Sequence, residues 1–148
     1  MMYRCLIANR GEIAVRIIRA CRELNIETVA IYAKGDENSL HVSLADQAIC
    51  IGEANPLDSY LNIDRIISAA KVTESNAIHP GYGFLSESTN FAKAVEDNHI
   101  HFIGPSKTTM EMMGDKITAR QTVKQAGVPV IPGSHDAIQS VDEFKLLA

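Results

Sequence analysis

The feature that most constrains this chain is a repeated switch of hydrophobic period. Short apolar runs of strand length, at residues 3–8, 27–32, 47–51, 76–78 and 101–103, alternate with longer stretches whose apolar residues recur at helical spacing. Residues 12–24 predict a helix whose apolar face carries Ile13, Ile17, Ala20 and Leu24, with Ala14, Ile18 and Cys21 beside them. Residues 40–45 suggest one helical turn. Ser59 is placed to cap a helix running to about residue 74, with Leu61, Ile63, Ile66, Ile67 and Ala70 expected inside. Residues 88–98 predict another helix. Strands separated by helices cannot pair as hairpins, so the expected class is α/β: a parallel sheet of about five strands with helices on both faces, a Rossmann-like architecture.

After residue 104 the pattern changes. Ser106 precedes a short helical run to Met113, and Gly114 breaks it. Asp115 is placed to cap a helix from Lys116 to about residue 126, which Gly127 and Pro129 stop. Residues 128–133, with two prolines, read as an extended connector. Ser140 opens a helical pattern that reaches Ala148 without a stop signal, so we expect a piece of a longer protein. The expected organisation is a Rossmann-like domain over 1–113, then a helical linker and the start of a further domain over 114–148.

Composition narrows the class. The chain has 148 residues, 46% hydrophobic and 22% charged, as globular proteins do. Its formal charge of −4 argues against nonspecific nucleic-acid binding. No apolar run nears the roughly 20 residues of a membrane span, and the first residues lack the pattern of a signal peptide, so a cytoplasmic protein is expected. Cys5, Cys21 and Cys50 share no paired spacing and lie in apolar stretches, so all three are expected as reduced core residues.

The stretch from His79 to Glu87 packs a proline and two glycines into a strand-to-helix turn. Such a turn needs unusual backbone angles or a close approach, and it holds Tyr82 between the two glycines without a bulky neighbour. It is a near miss to G-x-G-x-x-G and stands on the wrong strand for a dinucleotide site. From pattern alone it is as much a structural turn as a ligand loop. His79, before a proline, reads more as a hydrogen-bonded turn residue than as a catalyst. Lys116, Arg120 and Lys124 share one helix face, which suits either solvent or a phosphate-facing cation at Lys116. Glu12, Arg16, Arg19 and Glu23 form a narrow charged stripe, open to two readings: intrahelical pairs, or a face where Arg19 meets Glu23 of a second copy. No phosphate-binding G-x-x-x-x-G-K-[ST], metal-ligand spacing or nucleophile set is recognisable.

Six stretches taken together resemble the N-terminal part of biotin carboxylases: Ile7 to Ala14, Ser59 to Asn62, Ala77 to Glu87, Phe102 to Pro105, Met113 to Lys116 and Gly127 to Gly133. The resemblance implies an ATP-grasp ligase that carboxylates biotin on a carrier protein with ATP and bicarbonate, as in acetyl-CoA carboxylase and within pyruvate and propionyl-CoA carboxylases. It implies that Lys116 contacts ATP and that Tyr82 and Gly83 lie on the biotin side. It implies that Arg16, Arg19 and Glu23 belong to a homodimer interface. Partners implied are the biotin carboxyl carrier protein and carboxyltransferase subunits. The Mg²⁺ ligands and the catalytic groups of such enzymes lie beyond residue 148, so no catalytic residue is expected within this chain, which alone is expected to be inactive.

Overall fold

A computed structural model describes residues 3–131. The elements run β1 (Arg4–Ile7), α1 (Gly11–Glu23), β2 (Glu27–Ala33), α2 (Leu40–Leu44), β3 (Gln47–Gly52), α3 (Ile63–Val72), β4 (Ala77–His79), α4 (Thr89–Asp97), β5 (His101–Phe102), α5 (Lys107–Gly114) and α6 (Lys116–Gln125). The five strands form one sheet in the order β3-β2-β1-β4-β5, and every pairing is parallel. This is the expected α/β class.

The order records a reversal. The chain steps outward from β1 to β2 and β3, then returns to place β4 on the other side of β1. α1 packs with α2, and α3 packs with α4. The β1/β4 junction is therefore a switch point, where the loops leaving two adjacent strands diverge and leave a crevice.

Core packing follows the pleat of β1. Cys5 and Ile7 pack with Ala14, Ile17, Ile18, Cys21 and Ala77, while Leu6 is fully buried between them in sequence. Complete burial of one such side chain, Ile18 for example, is worth about 1.5–3 kcal/mol. Two residues of the expected α1 face do not join it: Ala20 is exposed, and Leu24 lies past the end of the helix, 69% exposed. The buried face instead centres on Ala14, Ile18 and Cys21 and takes in Val15.

Two further expectations are corrected. Ser59 is not the cap of α3. A 3₁₀ turn at Pro56–Asp58 intervenes, Ser59 is buried with its hydroxyl donating to the Asn55 carbonyl at 2.8 Å, and Asn62 caps the helix by accepting from the Arg65 amide at 3.1 Å. Of the apolar residues expected inside that helix, Ile66, Ile67 and Ala70 are buried, whereas Leu61 and Ile63 are partly exposed. Cys50 is exposed, because β3 is an edge strand on which Ile51 alone is buried; Cys5 and Cys21 are core residues as expected.

The chain divides after Ser106 into two compact units. In the second, α5 packs against α6, so the expected boundary at 113/114 falls within that helical pair. Asp115 caps α6 as expected, accepting from the Thr118 amide at 2.8 Å. The helix expected from Ser140 lies outside the described residues.

Candidate functional site

The site grows out of the C-terminal ends of β1, β2 and β4. β4 ends at His79, whose Nδ1 accepts from the Gly81 amide at 3.0 Å. This fixes Nδ1 as the unprotonated nitrogen, and burial lowers the pKa of the ring, so His79 is a neutral turn-former. Gly81 then passes close to β1. Its φ is +67°, and a Cβ there would lie 2.7 Å from Asn9 Nδ2 and 2.8 Å from Ile13 Cγ2. Asn9, 4% exposed, donates from that same nitrogen to the Pro80 and Tyr82 carbonyls, each at 2.8 Å. Its side-chain oxygen accepts from the Arg10 amide at 2.9 Å. One buried amide thus satisfies two carbonyls of a loop that has few regular partners.

Gly83 also has φ +67°, but a Cβ on it would meet nothing within 4 Å. Here the glycine serves conformation rather than space. Tyr82 lies between the two, 65% exposed, with its hydroxyl 3.4 Å from Glu12 Oε1. A shallow groove of about 440 Å³ runs along Asn9, Arg10, Glu12, Tyr82, Gly83 and Phe84. A flat, exposed, half-apolar ring beside open backbone suits one wall for a small planar ligand. The loop is thereby more than a tight turn: a buried scaffold presents an aromatic face outward.

Beneath it lies a cluster that the sequence did not single out. Phe84 stacks on Tyr60, ring centroids 5.3 Å apart and planes 11° from parallel. The Arg10 guanidinium sits 5.3 Å from the Tyr60 centroid and 5.8 Å from that of Phe84. The Tyr60 hydroxyl donates to Asp36 at 2.7 Å and accepts from the Ala33 amide at 3.1 Å, and Asp36 pairs with Arg10 at 3.3 Å. Burial, and then the bond to Asp36, push the Tyr60 phenol well above its usual pKa. Asn9, Arg10, Asp36, Tyr60 and Phe84 come from four separate stretches. The one local hint was that Asn9, Arg10, Tyr60 and Phe84 all fall within stretches that carry the family resemblance.

The charged stripe lies elsewhere on α1. Glu12, Arg16, Arg19 and Glu23 are all exposed, and among the described residues Arg16, Arg19 and Glu23 make no ion pair with one another. Arg16, Arg19 and Glu23 line a groove of about 920 Å³ shared with Leu40 and His41 of α2. His41 is buried, its Nε2 donating to the Ile31 carbonyl at 3.2 Å.

Lys116 belongs to the second unit. It is the first residue of α6 and is exposed, and it shares a groove of about 310 Å³ with Ala119, Arg120, Val123 and Ile131. Arg120 donates to the Ile131 carbonyl at 2.6 Å, which ties the connector to the helix. Hydrogen bonding to the Thr118 amide and hydroxyl lowers the Asp115 pKa. Lys116 is thus an exposed ammonium group beside a helix N-terminus, a place where anions are favoured. Among the described residues there is no group of three or more His, Cys, Asp or Glu arranged to hold a metal, and no helix long and apolar enough to cross a membrane.

Comparison with known proteins adds three findings. Residues 1–110 match the family described as biotin carboxylase, N-terminal domain. The chain is 56% identical over its whole length to biotin carboxylase 1 of Bacillus subtilis, of which it covers 33%, and 51% identical over 95% of its length to the pyruvate carboxylase of the same organism, of which it covers 13%. Among solved structures, it is similar to the biotin carboxylase domain of Hydrogenobacter thermophilus 2-oxoglutarate carboxylase, a dimer in complex with MgADP, ADP and bicarbonate, with a TM-score of 0.90, 50% identity, and coverage of 99% of this chain and 32% of that one. The chain spans about a third or less of the proteins it matches.

Proposed function

This chain belongs to the family of biotin carboxylase N-terminal domains, and we propose from that membership that it is the biotin-side portion of an ATP-grasp ligase that carboxylates biotin with ATP and bicarbonate. The observation that carries the reading is the exposed Tyr82 ring, held outward beside open backbone at Gly83 on a loop anchored at the β1/β4 switch point. Tyr82 and Gly83 form one wall for the biotin ring. Lys116 serves the ATP phosphates as an exposed cation at the start of α6. The acceptor is biotin on a carrier protein, carboxyltransferase subunits use the product, and Mg²⁺ is held by groups outside these residues. The 148 residues alone are not expected to carboxylate biotin, since phosphoryl transfer needs charge stabilisation beyond the single exposed cation assigned to it among the described residues, Lys116.

The identity to a bacterial biotin carboxylase over the whole chain supports a cytoplasmic subunit of acetyl-CoA carboxylase, acting at the entry to fatty acid synthesis. The match to pyruvate carboxylase supports a second reading, the same half-reaction within a different carboxylase. We place the helical linker and the start of the ATP-grasp lid after residue 113, within the second unit, which begins at Lys107.

The test uses a full-length biotin carboxylase carrying these residues. Tyr82→Ala should raise KM for biotin about tenfold and leave KM for ATP within twofold, as expected for loss of a group that touches only one substrate. An equal rise in both sinks the biotin-wall reading. Arg16, Arg19 and Glu23, exposed and without an ion pair to one another among the described residues, support a homodimer through that face. Arg19→Glu should lower the sedimentation coefficient from dimer to monomer; no change leaves α1 as a solvated, non-interface face.

A further inference from the structure

Phe84 is a large residue in a conformation that large residues avoid. Its φ is +43°, directly after Gly83 at +67°. A bulky L-residue in the left-handed region is strained and persists only where surrounding contacts over-determine it. Those contacts are present. The Phe84 ring lies flat on Tyr60, which is fully buried, and Arg10 caps both rings. Tyr60 is itself immobilised at its hydroxyl by the Ala33 amide and Asp36, and Asp36 returns to Arg10. The cluster joins the loops that leave β1, β2 and β4, three neighbouring strands, to the segment before α3.

The strain has a direction. Gly81 is pinned against Asn9 and Phe84 is pinned on Tyr60, which sets Tyr82 and Gly83 between two fixed points on the wall of the groove that Phe84 also lines. Without the second pin, Phe84 would relax toward negative φ and swing the carbonyl and ring of its neighbours. We propose that Phe84 is a positioning residue: stacked on Tyr60 beneath the Arg10 guanidinium, it holds the loop in the left-handed form that presents Tyr82, so recognition of the planar cyclic urea of biotin depends on how that stack sets the loop. The substrate part of this inference rests on the biotin-wall reading above; the loop part stands without it.

Two measurements test it. In the 148-residue chain, Phe84→Ala removes the ring but keeps a Cβ, so left-handed backbone stays unfavourable there and loses the stack that holds it. Amide exchange in peptides covering 79–88 should accelerate about tenfold, with the central sheet within twofold. Phe84→Tyr should exchange at the wild-type rate. Arg10→Gln, which removes the cation from an exposed position, should accelerate the same peptides about threefold. Unchanged exchange, acceleration spread over the whole sheet, or no rescue by tyrosine overturns the proposal. In a full-length carboxylase carrying these residues, Phe84→Ala should raise KM for biotin about tenfold with kcat and KM for ATP within twofold. A matching fall in kcat for all substrates overturns it. If Tyr82→Ala leaves KM for biotin unchanged, the biotin-wall reading fails, and the exchange data still decide the loop.

Discussion

The His79–Glu87 loop and the segment around Lys116 are both strand- or turn-to-helix junctions, yet they are built in opposite ways. The first is held from a distance. Asn9 reaches it across 71 and 73 residues of chain, and Phe84 stacks on Tyr60. The second is held by neighbours: Asp115 caps the amide three residues on, Lys107 pairs with Glu111 one turn away, and Arg120 reaches Ile131. A loop held by distant, buried partners can sustain left-handed backbone at three of four consecutive positions around an exposed ring. A junction held locally keeps ordinary helical geometry and offers an exposed cation. The first arrangement suits shape recognition, which needs fixed atoms. The second suits a phosphate contact, where a long flexible ammonium group can follow its ligand.

Four substitutions bear on that contrast. The largest effect is expected at Gly81→Ala, where left-handed backbone and a clash at 2.7–2.8 Å combine to cost about 3 kcal/mol or more, read as a lower urea midpoint. Asn9→Ala should follow at about 2 kcal/mol, because two loop carbonyls lose their shared donor. Chemical denaturation with unchanged m-value would confirm it, and a change below about 0.5 kcal/mol would show that the distant anchor does not hold the loop. Gly83→Ala should cost only about 1 kcal/mol, since its Cβ enters open space and conformation alone opposes it. Equal losses at the two glycines would remove the distinction between a close approach and a bare turn. Asp115→Ala should have the smallest effect: a slight loss of far-UV helicity with the sheet's unfolding midpoint unmoved, given that its partner lies within the same helical turn. A cooperative loss of the sheet would mean that the second junction is not locally built.

Much of the scaffold was legible because it rests on period. The five strands, α1 and α4 stand within a residue or two of where apolar spacing puts them, and the Asp115 cap follows from a side chain that satisfies an amide three residues on. Misreadings arose where a local signal met a tertiary fact. Ser59 has the chemistry of a cap, but the 3₁₀ turn after Pro56 buries it and passes the role to Asn62. Cys50 sits in an apolar run, yet periodicity cannot tell an edge strand from a central one. The candidate site divided in the same way. Tyr82 between two glycines is visible as a pattern; Asn9, Asp36 and Tyr60 are not, because each acquires its role from a partner 24 or more residues distant.

The sequence alone determined the α/β class, the succession of elements and the presence of an unusual turn after the fourth strand. These depend on the alternation of apolar spacing and on glycines and prolines, both of which act over a few residues. Only the tertiary structure decided that β4 returns beside β1, that the turn therefore opens at a switch point, and that Asn9 and the Arg10–Tyr60–Phe84 stack clamp it from beneath. The physical reason is range: hydrogen bonds and ring stacking act over a few ångströms of space, and only the folded sheet brings residues 9, 36, 60 and 84 within that reach.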